Sequence, residues 1–132
     1  MIRHIVYNNI DYKICEGKEM NSKKIFIQGS EWSVLWETLQ ENGSFEICDG
    51  YCDPSVKTIH IRKYPDKDEQ LAGYESRKYM QEKTLRHEVI HAFMWESGLW
   101  RNARELNGDS WSMNEEMVDW IAIQFPKIQK VS

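Results

Sequence analysis

The chain has 132 residues, a net charge of −4, 41% hydrophobic residues and six tryptophans. That length suits a single domain, 1–132, around one core, and the acidic balance without a basic patch argues against nucleic acid as a partner. No run approaches the ~18 apolar residues of a membrane span, and Met1-Ile2-Arg3-His4 does not open like a signal peptide.

In chain order, Ile5 to Ile14 carries β-formers around Asn8-Asn9, the pattern of a hairpin. Lys24 to Gln28 is a short β-like run leading towards the next element. Ser30 is an N-cap candidate. After it Trp32, Leu35, Trp36 and Leu39 recur at i, i+3, i+4 and i+7, which predicts an amphipathic helix ending near Gly43. Phe45 to Cys48 and Lys57 to Lys63 read as strands, separated by the turn-rich Asp49-Gly50-Tyr51-Cys52-Asp53-Pro54. In the second strand Ile59 and Ile61 point one way, and Thr58, His60 and Arg62 the other. Pro65 to Glu69 is a charged loop.

From Gly73 to Ser97 a long helix is expected. Leu85, Val89, Ala92 and Phe93 form its apolar face, and Gly98 is its cap. Leu99 to Ser112 reads as a loop. A last helix runs from about Met113 to Phe125 and should stop at Pro126. Trp95, Trp100, Trp111 and Trp120 are expected to pack in the core, with a hydrophobic substrate pocket as the alternative. Cys15, Cys48 and Cys52 are an odd number and read as reduced thiols. A Cys48–Cys52 metal pair would lack two further ligands.

Inside the long helix stands His87-Glu88-Val89-Ile90-His91. Residues i and i+4 share a helix face, so His87 and His91 can grip one ion. Glu88 lies about 100° around the helix and can take a proton from a water on that ion. This is the zinc-peptidase signature. Its context, a helix free of Pro and Gly, supports it.

A catalytic zinc site needs three protein ligands and an open position. Met94 and Ser97 stand where the metzincins carry Gly and a third His, so that class is excluded, and the same missing His argues against zinc ribonucleases of that pattern. An acidic residue of the last helix is the other solution. Glu115 and Asp119 are at i and i+4, and Ala122 continues their stripe, small enough for close helix packing. Met117, Trp120 and Ile121 fall on the far side, towards the core. Glu115 then binds the metal and Asp119 fixes the tautomer of a ligand histidine. Ser112-x-x-Glu115 also reads as a capping box, in which case Glu116 is the ligand. Asp119 is a further alternative.

His87-Glu88-x-x-His91 followed by Asn114-Glu115-x-x-x-Asp119 resembles the gluzincin metallopeptidases. The short chain is similar to the small zincins of phages and mobile elements, related to the ImmA/IrrE and SprT-like families. The likeness spans roughly Phe45 to Phe125. It implies an α+β, minimal zincin-like fold: a small, mostly antiparallel sheet packed on the long motif helix and a C-terminal acidic helix. It implies Zn²⁺ as cofactor, Glu88 as general base and cleavage of a protein or peptide, with a repressor or other regulatory protein as one substrate class. It also implies a cytoplasmic protein of phage or prophage origin. Such enzymes need a donor to the developing oxyanion. Tyr51, His60 and Tyr74 are candidates and nothing ranks them, while His60 on a strand is expected to be an ordinary surface residue, and for Arg101, Arg104 and Trp111 in the loop the reading is either lining of the cleft or, by preference, no role in it. The alternative is a zinc-stabilised binding module that does not cleave. Intact Glu88 favours the enzyme, and a fourth ligand such as Cys48 or Cys52 would favour the module.

Overall fold

The computed structural model describes residues 3–7, 10–15, 18–64, 74–100 and 114–132. They form an α+β arrangement of one six-stranded sheet and two long helices. The strands are β1 (Arg3–Tyr7), β2 (Ile10–Cys15), β3 (Lys18–Ile27), β4 (Ser30–Glu37), β5 (Gly50–Asp53) and β6 (Thr58–Arg62). Their order is β1-β2-β3-β4-β6-β5, and only β4–β6 is parallel. The mostly antiparallel sheet expected from the sequence is therefore present. The expected first hairpin corresponds to β1 and β2, although Asn8 and Asn9 lie outside the described residues.

Between β3 and β6 the sequence expectations are overturned. The segment from Ser30 is not a helix. It is strand β4, which returns from β3 through Gln28 (φ 49°) and Gly29 (φ 83°), a turn with both central residues at positive φ. Trp32 and Val34 are fully buried in β4 while Glu31 and Ser33 face away, a period of two. The helical spacing of Trp32, Leu35, Trp36 and Leu39 was coincidental, because Trp and Val also suit a half-buried strand. Nor is Phe45–Cys48 a strand. Gly43–Glu46 is a 3-10 helix whose N-cap, Asn42, accepts a hydrogen bond from the Ser44 N–H at 3.1 Å. The strand comes later, at Gly50–Asp53, inside the segment read as a turn. Its apolar inward positions are too few to raise an alternation above the surrounding Asp, Gly and Pro.

β6 behaves as expected, with Ile59 and Ile61 buried. They join Ile27, Trp32, Val34 and Ala92 in the core, against which Leu85, Val89 and Trp95 pack. Helix α1 (Tyr74–Glu96) lies across the β3, β5 and β6 side of this core. Gly50 lets it approach: a Cβ there would meet Thr84 Cγ2 at 2.6 Å and the His60 carbonyl at 3.0 Å. The helix ends at Gly98 (φ 85°), whose N–H donates to the Trp95 carbonyl at 3.0 Å. Glu96 pins this end to the sheet. Its carboxylate, with the side chain 8% exposed, accepts from Trp32 Nε1 (2.9 Å) and Ser30 Oγ (3.2 Å) and pairs with Lys57 Nζ (2.9 Å).

Helix α2 (Glu115–Val131) starts at Asn114, which accepts from the Met117 N–H at 2.8 Å. It does not stop at Pro126 but runs through it. A mid-helix proline supplies no N–H to the carbonyl four residues back, here that of Ala122. Arg86 Nε of α1 donates to that carbonyl instead, at 2.7 Å. Val118 and Ala122 are the buried residues of α2, so the close packing expected of Ala122 is present. Trp120, expected in the core, is 58% exposed, and Phe93 of the expected apolar face of α1 is 44% exposed. Among the described residues no helix is long and apolar enough to cross a membrane.

Candidate metal centre

The helical repeat of α1 puts His87 and His91 one turn apart, and their Nε2 atoms lie 3.2 Å from each other. Helix α2 brings Glu115 across from the other side. Its carboxylate oxygens lie 2.8 Å from His87 Nε2 and 3.1 Å from His91 Nε2. These three residues are the described group able to hold a metal ion, with ligand atoms all within 4.8 Å of one another. Tetrahedral zinc with bonds of about 2.0–2.1 Å has ligand–ligand edges of about 3.3 Å. The two imidazole nitrogens, 3.2 Å apart, are close to that edge, and Glu115 presents one carboxylate oxygen to each of them, so the donor set suits such an ion in chemistry and the three residues are near enough to share it. Burial, opposed by Glu115 and reinforced by His87, lowers the pKa of His91, which favours the neutral imidazole a metal requires.

The capping-box reading of Glu115 does not hold. Asn114 caps the helix, and Glu115 turns to the two histidines. Ser112 lies outside the described residues. Glu116, the alternative ligand, is exposed and faces a separate depression with Asn114, Met117 and Trp120. Asp119 Oδ1 lies 3.3 Å from His87 Nδ1 and 3.5 Å from Lys83 Nζ. It therefore sits behind His87 rather than among the three, where it can hold Nδ1 protonated and aim Nε2 at the centre.

Glu88 is 7% exposed beside this group. Burial pushes its carboxyl up to about 7, with His87 opposing and the Glu115 charge adding to the rise. It opens onto a cleft of about 240 Å³ shared with His91, Glu115, Trp100 and the β5 residues Gly50 to Cys52. β5 is the last strand of the sheet, so its outer edge is unpaired among the described strands. Trp100, expected in the core with a pocket as the alternative, lines the cleft. The chain turns back after Gly98 and sets its ring 5.6 Å from that of His91 and 5.4 Å from Trp95. A capping glycine two residues before the tryptophan was the available signal.

Cys48 and Cys52 are free thiols. Burial first, then the negative charges of Glu88 and Asp53, push Cys52 up to about 12, so it stays protonated. Of the oxyanion candidates, Tyr51 borders the cleft, but its hydroxyl accepts from Asn42 Nδ2 at 2.8 Å. Its ring stacks at 4.4 Å on His60, its partner across β5–β6, on the face away from Ile59 and Ile61. His60 is half-buried there, with Nδ1 2.6 Å from Glu37 Oε1, rather than an ordinary surface residue. The Tyr74 side chain, Arg101, Arg104 and Trp111 lie outside what the structure describes.

Comparison with protein-family models, curated proteins and solved structures finds no match to this chain.

Proposed function

We propose that the chain is a zinc-dependent metallopeptidase of minimal zincin-like fold, of the gluzincin type and related to the ImmA/IrrE and SprT-like groups. The observation that carries the reading is the meeting of His87, His91 and Glu115 from two helices, with a buried carboxyl, Glu88, beside them. His87 and His91 through Nε2, and Glu115 through its carboxylate, are the metal-holding residues. Zinc held there supplies a Lewis acid that polarises water and the scissile carbonyl. The other steps belong to the chain itself. Glu88, with a pKa near neutrality, takes the proton of the attacking water and passes it to the leaving amine. Asp119 keeps His87 in one tautomer. The unpaired edge of β5 offers backbone N–H and C=O groups to an extended peptide, and Trp100 closes the wall opposite. The substrate is a protein or peptide, with a repressor or other regulatory protein as the class implied by the resemblance. The setting we infer is the cytoplasm of a bacterial cell carrying a phage or prophage.

The alternative, a zinc-stabilised binding module, needs a ligand to close the fourth position. No thiol belongs to the described metal-holding group, which supports the open, catalytic form. The test is zinc content together with cleavage of a peptide library by wild type and Glu88→Gln. One zinc in each, with cleavage by wild type alone, is expected. Zinc in both with cleavage by neither leaves the module, and zinc in neither refutes both.

A further inference from the structure

A second concavity lies on the other flank of α1. It is a groove of about 600 Å³, against about 240 Å³ for the cleft, and the two share no lining residue. Its floor is β3 at Ile25 and Ile27, and its walls are Val89 and Phe93 of α1 and Ile121 and Phe125 of α2. Phe93 and Phe125 are 44% and 51% exposed, and the apolar stripe continues along α2 to Ile128, 48% exposed. We propose that this groove docks an acidic amphipathic helix of a partner protein.

Three observations select that occupant. First, β3 is an interior strand, paired with β2 on one side and β4 on the other, and the walls are helices. The groove therefore has no free backbone edge. An extended peptide would leave its own N–H and C=O groups unmatched, whereas a helix satisfies them internally. Second, the lengths agree. Leu85 to Phe93 along the wall is a rise of about 12 Å, and the i, i+4, i+7 anchors of an amphipathic helix span about 10–11 Å. Third, among the described residues the charged lining is Lys23 and Arg86 with no acidic residue, although the chain holds 21 acidic against 17 basic residues. Lys127 and Lys130 flank the extension of the stripe on α2. A helix with acidic flanks complements that rim. A second copy presenting its own α2 stripe would set lysines against it.

This inference is independent of the metal reading, and its test needs no zinc. The full chain is titrated with a pool of fluorescent helical peptides of about 16 residues, carrying Leu, Ile, Phe or Met at i, i+4 and i+7 between glutamates. A second pool has the same anchors between lysines. We expect micromolar binding by members of the acidic pool, at least about tenfold tighter than their basic counterparts. Phe93→Ser and Phe125→Ser, at exposed positions, should each weaken it about tenfold or more with little change in melting temperature. Lys23→Glu, which inverts one charge of the lining, should narrow or reverse the charge preference whether or not the serine variants fold well. The proposal is overturned if no acidic peptide binds, if both pools bind alike, or if Lys23→Glu leaves the preference unchanged. It is equally overturned if Phe125→Ser abolishes instead a dimer of the free chain or its binding to phosphatidylglycerol vesicles.

Discussion

Replacing Glu88 with glutamine should make the metal-free protein more stable while removing its chemistry. Glu88 is 7% exposed, and its carboxyl is raised from 4.5 to about 7, chiefly by burial. Between those two values the folded chain holds a proton that the unfolded chain has lost, so folding stability falls as pH rises through this window. A shift of about 2.5 units corresponds to about 3 kcal/mol once pH exceeds 7. Glutamine keeps the shape and has no charge to desolvate. His91 pulls the other way: its folded pKa is lowered, so its contribution is full above the unfolded value of 6.5 and is lost as pH falls below it. The wild-type profile mixes both effects, and the difference between wild type and Glu88→Gln isolates the glutamate. The assay is urea unfolding in a chelator at pH 5 and pH 8. The variant should gain up to about 3 kcal/mol at pH 8 and much less at pH 5. With zinc bound the gap should shrink, because the cation's charge favours the carboxylate, and peptide cleavage should drop by at least about 10²-fold. A variant no more stable than wild type at pH 8 would refute the account of Glu88 as a carboxyl held at a cost for its chemistry.

Glu115→Gln should weaken zinc binding far more than Glu116→Gln, read by competition with a chelating dye, since Glu115 lies 2.8 and 3.1 Å from the histidine nitrogens and Glu116 faces elsewhere. Asp119→Asn should lower zinc affinity about 10–100-fold without unfolding the protein, by loosening the hold on His87 Nδ1. Glu96→Gln should destabilise by about 2 kcal/mol, because a charge-assisted network is weakened while Lys57 keeps access to water. The Lys57 hydrogen bond, helped by Trp32, holds the Glu96 pKa below 4.5 against the effect of burial. Its contribution is therefore present above 4.5 and disappears as pH falls through the lowered folded value, so the variant's deficit should close in acid. Arg86→Ala should cost about 1–3 kcal/mol by leaving the Ala122 carbonyl without a donor, and less in a Pro126→Ala background, where residue 126 regains its N–H. Equal losses in the two backgrounds would show that Arg86 does not stand in for the missing helical hydrogen bond.

The parts of this molecule that were legible in its sequence are those where a periodicity and a chemical requirement coincide. Helix α1 was bounded to within a residue, because Gly98 ends it and a 23-residue stretch without Pro or Gly carries the motif. His87, His91, Glu115 and Asp119 were legible together because a metal centre needs donors on two facing helix surfaces, each with its own i, i+4 repeat. β4 was misread because Trp32, Leu35, Trp36 and the following Leu39 fit a helical template while Trp32, Val34 and Trp36 fit an alternating one. The sheet decides between them only through pairing with β3 and β6, which lie on either side in sequence. The end of α2 was misread for a related reason. Pro126 should stop a helix that stands alone, but the guanidinium of Arg86, 36 residues before Ala122, occupies the carbonyl it leaves free. Both errors have one physical origin: a local rule was outweighed by a hydrogen bond made at long range. The same bond joins the motif helix at Arg86 to the acidic helix at Ala122, one residue from His87 on one side and three from Asp119 on the other. What defeated the prediction of the helix end is therefore also part of what sets the two halves of the candidate centre against each other.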